Sequence, residues 1–486
     1  KISHILFTMN PVHCADSSDS ASVDSEDGAG ASKSINKGFV PAVSNFSIQY
    51  NYACASIATA VMLSHRDHTG EGVLPDFPEP QWVKEIMLSV VFIGSVVGML
   101  TMGYLGDLIG IQRALVLTNA LTVLGALASA LLSWGDPSTV WSVITVSRFV
   151  LGMGVGGNYP LSAAKAAECC PSVSEAVAKA SKAFFWQGPG SCTPYLLGIV
   201  LLFALPESEG VTSWQFRILL GAGALPALLV LWATMQEEAE DAPEEGQSEV
   251  KKKNRSEALR DPDHWWTLIG TAGTWFFFDV AFYGTVIFSP TILAHIFGPG
   301  ASLMDICLKA SFLGGLAIVG TLTGIRALSS VGPKALSVGG LTLAALIFSA
   351  LLAVVHLLPD CKYLMFALLC SLYFVLYAFP NLATYVQPVV SFPPEVRSTF
   401  HGLSSAAAKL GAMAGALLFP IVDRHLGLSA VLAIQAVVCA SGALVAYIFL
   451  ESQEGEDNVS EDVKSSWSNL PQEGDDVELP WVADKT

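Results

Sequence analysis

The chain has 486 residues, 52% of them hydrophobic and only 14% charged, with a mean hydropathy of +0.52 and a formal net charge of -17. Soluble chains carry roughly a quarter charged residues, so an ordinary water-soluble core is excluded. The excess acid sits in 1–31, in 236–263 (ten acids, five bases) and in 450–486 (eleven acids, two bases). The remainder is therefore close to neutral, which argues against nucleic-acid binding and gives no support to a cationic substrate.

Residues 1–37 read as a polar cytoplasmic tail, and their acidity is unlike a cleavable signal sequence. Twelve apolar windows follow, near 38–63, 85–106, 112–132, 140–164, 181–204, 214–235, 265–292, 304–326, 335–356, 361–388, 399–421 and 427–449. Each approaches the ~20 residues that a helix needs to cross the hydrocarbon. Lipid tolerates no unpaired backbone, and the lengths exclude barrel strands. The expected fold is an all-α membrane protein of twelve transmembrane helices. The polar stretch 236–263 divides it into six-helix bundles at 38–235 and 264–449, followed by an acidic tail at 450–486. Lys33, Lys37, Arg113, Lys179, Lys182, the linker bases, Arg326, Lys334 and Arg397 fall on one side. That bias places both termini in the cytoplasm, and the longest outside loop, 64–84, is expected to cap the entrance.

Span one carries a polar run, Asn45, Gln49, Tyr50, Asn51 and Tyr52. After span two, Gly103 and Gly110 permit a tight turn, and Asp107 and Arg113 can pair or cap helix ends to hold a gate. A simple surface turn explains any one of these residues, but their joint placement less well. Gly324-Ile325-Arg326 with Gly332-Pro333-Lys334 looks like a degenerate copy after span eight. Span four holds Arg148 and then Gly152, Gly154, Gly156, Gly157, Asn158, Tyr159 and Pro160. The glycines allow close helix packing, and Pro160 should disturb the helix. One reading puts Asn158 and Tyr159 on a ligand with Arg148 in a polar network. The other makes this a close-packed helix with Arg148 anchored to a neighbouring carbonyl. Span five adds Gln187, followed by Gly188-Pro189-Gly190.

Span seven is the most informative. A charge in the hydrocarbon costs roughly 2.5–3.5 kcal/mol on an insertion scale, yet Asp279 sits there between Trp275 and Tyr283. The i, i+4, i+8 spacing drifts only about 40° per step, so the three share one face. Asn381 lies late in span ten, and Lys409 lies in span eleven, where it should pair with a carboxylate or a ligand. Together these groups make a donor-rich site suited to an oxyanion. Nine cysteines show no ligand spacing and read as packing residues, so neither a metal nor a cofactor is implied. Ser162, His401 and Asp423 are too dispersed to nominate a catalytic triad, so an enzyme is not expected. His401 is expected to support a helix start.

At Gly156-Gly157-Asn158-Tyr159-Pro160-Leu161-Ser162, Trp275 to Tyr283, Pro380-Asn381 and Arg397-Ser398-Thr399-Phe400-His401-Gly402 leading to Lys409, the chain resembles the phosphate:proton symporters of fungi and plants. These belong to the major facilitator superfamily, whose loop after span two the Asp107 segment also resembles. The resemblance implies the major facilitator fold, two parallel six-helix repeats that rock about a central site. By motif, Tyr159, Gln187, Trp275, Asp279, Tyr283 and Asn381 resemble the phosphate-contacting residues. It further implies secondary transport of inorganic phosphate with protons by a lipid-embedded monomer, most naturally in the plasma membrane. Two departures stand out. Asn158, and Asn45 or a close neighbour, stand where the family has aspartates tied to proton coupling, and Pro388 is followed by Val389 and Val390 rather than glycine and glutamate. They leave open transport of an organic phosphate or another organic anion, with different coupling or none. Asp279 then carries what proton coupling remains, because phosphate beside an ionised carboxylate is repelled.

Overall fold

The structure, a computed structural model, describes residues 38–63, 77, 78, 80, 82–167, 170, 172–205, 211–236, 254–297 and 303–451. The expected tails, most of the linker and most of the 64–84 loop lie outside these residues. Every regular element among the described residues is helical: α1 Phe39–Met62, α2 Val83–Ile109, α3 Ile111–Leu131, α4 Pro137–Ala167, α5 Val173–Phe185, α6 Gln187–Ala204, α7 Val211–Gly221 and α8 Ala224–Gln236 in the first half. The second half has α9 Pro262–Phe297, α10 Leu303–Leu357, α11 Lys362–Ala378, α12 Pro380–Ser391, α13 Arg397–Leu426 and α14 Leu428–Phe449. The chain turns inside α10 at Gly332, whose φ of 76° L-residues rarely adopt. Gly110, with φ 94°, makes the corresponding turn between α2 and α3.

With α10 counted as two and α5–α6, α7–α8 and α11–α12 as broken single passages, the order gives the twelve passages expected. Eight described stretches are long and apolar enough to cross a membrane, Cys307–Leu357 among them. The polar run of α1 and the α5–α6 break explain why those two passages fall short. Outward faces carry large apolar side chains, as Leu124 and Leu131 on α3, Leu225 and Trp232 on α8, and Val437 and Leu444 on α14 do.

Two passages are broken, and proline causes both breaks. Pro189, in the first turn of α6, cannot donate to Phe185, so the helix is interrupted at Trp186. Pro380 opens α12 after a turn at Phe379. Conversely, the expected disturbance at Pro160 is absent, and α4 runs unbroken through it. Packing holds that helix in place. A Cβ on Gly152 or Gly156 would run into the Val91 or Ser95 carbonyl of α2, and one on Gly154 would lie 2.5 Å from the Thr122 nitrogen of α3.

Without a hydrophobic force between helices in lipid, such backbone approach is what binds them. Gly98 of α2 is seated directly on the Met153 carbonyl. Gly98→Val is expected to cost roughly 1–3 kcal/mol of stability through overpacking. The cost should appear as a lowered unfolding midpoint in detergent; an unchanged midpoint would mean that this seam has room to spare.

Candidate functional site

The polar residues meet where the two halves face each other. Lys409 on α13 donates to Asp279 Oδ2 and to the Tyr283 hydroxyl, both at 2.9 Å, and the ion pair is about as buried as a side chain can be. Trp275, one turn before Asp279 on the same α9 face, packs its ring edge-on 6.2 Å from Tyr159. Three rings surround the ammonium: its nitrogen lies 4.2 Å from the Tyr283 centroid, 5.0 Å from Tyr159 and 5.4 Å from Tyr52. Aromatic faces attract a desolvated cation, so they add to the pairing with Asp279.

A chain of amides leads away from this pair. Gln49 donates to Gln187 Oε1 at 2.9 Å and to the Tyr159 hydroxyl at 3.4 Å, and Gln187 donates to Asn45 Oδ1 at 2.7 Å. Asn45 reaches the Tyr385 hydroxyl at 3.2 Å, which in turn meets Ser162 at 3.2 Å. The breaks at Trp186 and Phe379 put Gln187 and Asn381 in the first turns of new half-helices. Their free backbone N–H groups there favour anions. The side-chain nitrogen of Asn381 is buried without a partner.

Asn158 stands apart: it exchanges hydrogen bonds with Asn119 of α3 at 3.2 and 3.3 Å, behind Tyr159. Arg148, fully buried, donates to the Asn51 carbonyl at 2.9 Å, the anchoring alternative of the two sequence readings.

The residues expected to hold a gate also arrange differently from a simple charge pair. Asp107 Oδ2 accepts from the Thr399 nitrogen at 2.7 Å and its hydroxyl at 2.5 Å, capping α13 across the two halves. Arg113 is exposed, with no ion pair to Asp107. The α13 start has no cap of its own at Val396, and its bare N–H groups are a better partner than a solvated arginine. Gly103 permits this approach, since a Cβ there would lie 2.8 Å from the Ser398 carbonyl and 3.2 Å from Gly402 Cα. Arg255 of the linker donates to the Asp107 carbonyl at 3.0 Å.

Sequence reasoning missed two residues. Tyr385 stands four residues after Asn381, a spacing that could have flagged it. His401, expected to support a helix start, lies in the second turn of α13 and is fully buried, 5.5 Å from the Trp275 ring and 5.4 Å from Tyr385.

The profile of the Major Facilitator Superfamily matches residues 43–398. Inorganic phosphate transporter PT2 of Toxoplasma gondii is 34% identical over 85% of this chain and 71% of its own length. Probable inorganic phosphate transporter 1-6 of Arabidopsis thaliana is 28% identical over 77% of this chain and 83% of its own. Among solved structures, the proton:xylose symporter XylE bound to 6-bromo-6-deoxy-D-glucose superposes with a TM-score of 0.70 at 17% identity, covering 90% of this chain and 99% of that one. The E. coli fucose:proton symporter FucP does so with 0.60 at 14%, covering 86% and 100%. At such identities these two structures speak for the fold alone.

Proposed function

The chain belongs to the Major Facilitator Superfamily, and we propose that it moves inorganic phosphate together with protons by alternating access about the Lys409 site. It is a multi-pass membrane transporter, not an enzyme, and its relatives named as inorganic phosphate transporters support the substrate. The observation that carries the reading is the buried Lys409–Asp279 pair, set among tyrosines and amides between the halves.

The pair is neutral as it stands. Phosphate brings roughly one to two negative charges near neutral pH and competes for Lys409. Asp279 is then left as a buried carboxylate without a counter-ion, which is costly unless it takes up a proton. Binding of phosphate and proton therefore favour each other, the thermodynamic root of symport. Tyr159, Gln187, Trp275, Tyr283 and Asn381 supply donors to the phosphate oxygens, and Asn45 holds Gln187 in place. Asn158 acts within the first bundle rather than on the substrate. The bias of basic residues supports a cytoplasmic position for the Asp107–Thr399 seam with both termini inside, and the plasma membrane is the proposed site of action. One copy contains the whole site, so a monomer suffices.

The test of substrate is labelled phosphate uptake into proteoliposomes, with pH and sodium gradients imposed separately and glycerol phosphates as competitors. Uptake stimulated by an inward proton gradient, and blocked by phosphate far better than by glycerol phosphates, is expected. Transport of glycerol phosphate without phosphate would establish the organic-anion reading instead.

A further inference from the structure

His401 is fully buried, and its Nε2 lies 3.1 Å from the Tyr385 carbonyl oxygen. A carbonyl only accepts, so Nε2 carries the hydrogen, and in the neutral ring Nδ1 presents a bare lone pair. That Nδ1 has no partner. A buried acceptor left unsatisfied is uncommon and costs about 1–3 kcal/mol. The position is not remote: His401, Ser405 and Lys409 follow the same i, i+4, i+8 spacing on α13 as Trp275, Asp279 and Tyr283 on α9. The two ladders face each other, His401 meeting Trp275 and Lys409 meeting Asp279. The described carboxylates nearby are already engaged, Asp279 by Lys409 and Asp107 by Thr399. On α12, beside Tyr385, the Asn381 nitrogen is a donor in the same unsatisfied condition.

An unsatisfied donor and an unsatisfied acceptor on adjoining elements fit a ligand that both accepts and donates. Phosphate does so whenever it keeps a proton, whereas sulfate, of the same shape, has only acceptors near neutral pH. We propose that His401 is a specificity-determining residue, its Nδ1 accepting the P–OH hydrogen of a protonated phosphate and disfavouring fully deprotonated oxyanions. The inference rests on the phosphate reading above and names the residue that selects the protonated form. A sulfate oxygen against the lone pair leaves both groups unpaired and repelled, the arrangement by which a hydrogen-bonding site rejects an analogue lacking the donor.

Two near-isosteres separate this role from a structural one. His401→Gln can keep a donor for the Tyr385 carbonyl but removes the Nδ1 acceptor. His401→Asn keeps an acceptor near the Nδ1 position and gives up the Tyr385 bond. The readout is the ratio of sulfate inhibition constant to phosphate KM in proteoliposomes, or the same ratio from labelled-phosphate binding to purified protein should a variant bind without transporting. His401→Gln is expected to lower that ratio about ten- to a hundredfold, with His401→Asn staying within a few-fold of wild type. A His401→Gln ratio equal to wild type, or an equal loss in both variants, overturns the proposal while wild-type phosphate uptake leaves the transport reading standing. Failure of the wild-type protein to take up phosphate at all overturns both.

Discussion

Lys409→Met is expected to abolish concentrative phosphate uptake and to lower stability by about 3–5 kcal/mol, the usual penalty for stranding one member of a buried ion pair. Asp279 would remain in the low-dielectric centre without the ammonium that pairs with it. Tyr283 and Tyr159 would lose the cation they face. The double variant Lys409→Met with Asp279→Asn separates the two effects, because it removes both charges. Its unfolding midpoint in detergent should recover most of the loss, while uptake stays absent, since nothing is left to compensate phosphate. A double variant that transports would show that the pair serves the fold alone.

Gly103→Leu is expected to leave phosphate binding within a few-fold of wild type and to stop transport. The side chain would be driven into the Ser398 carbonyl and Gly402, so α2 and α13 could not close and Asp107 could not reach Thr399. The proposed substrate site lies elsewhere on α13, near Lys409, and is expected to fill normally while the protein fails to cycle. Alternating access demands closure at each end in turn. Binding retained with uptake lost is the pattern expected of a jammed gate, and wild-type uptake would show that this seam need not close.

The contrast among individual residues shows what a sequence of this kind makes readable. Trp275, Asp279 and Tyr283 are legible from spacing because a carboxylate in an apolar window is costly and the helical period puts its neighbours on one face. Lys409 is legible for the same reason, down to its need for a carboxylate. Asn158 misleads because adjacency in sequence is not adjacency on a helix: neighbours differ by about 100° in direction, so Tyr159 faces the centre while Asn158 turns to Asn119. Pro160 misleads because a proline's local cost can be absorbed by packing that only the tertiary structure reveals. Pro189 and Pro380, less remarked in the sequence, do break their helices and thereby set the positions of Gln187 and Asn381. His401 and the Asp107 cap both depend on contacts between segments far apart in the chain, and no local pattern encodes them.

The two carboxylates that the resemblance leads one to expect become easier to interpret in this light. Asn45 bridges Gln187 and Tyr385 as a neutral amide, and Asn158 is sequestered with Asn119. Neither can titrate, so the proposed proton coupling falls on Asp279. Phosphate-elicited proton uptake by proteoliposomes of wild-type protein and of Asp279→Asn, recorded with a pH indicator, tests that assignment most directly. Wild type is expected to take up protons as phosphate enters, and Asp279→Asn to exchange phosphate across the membrane without any proton signal. Proton uptake undiminished in Asp279→Asn would contradict the account.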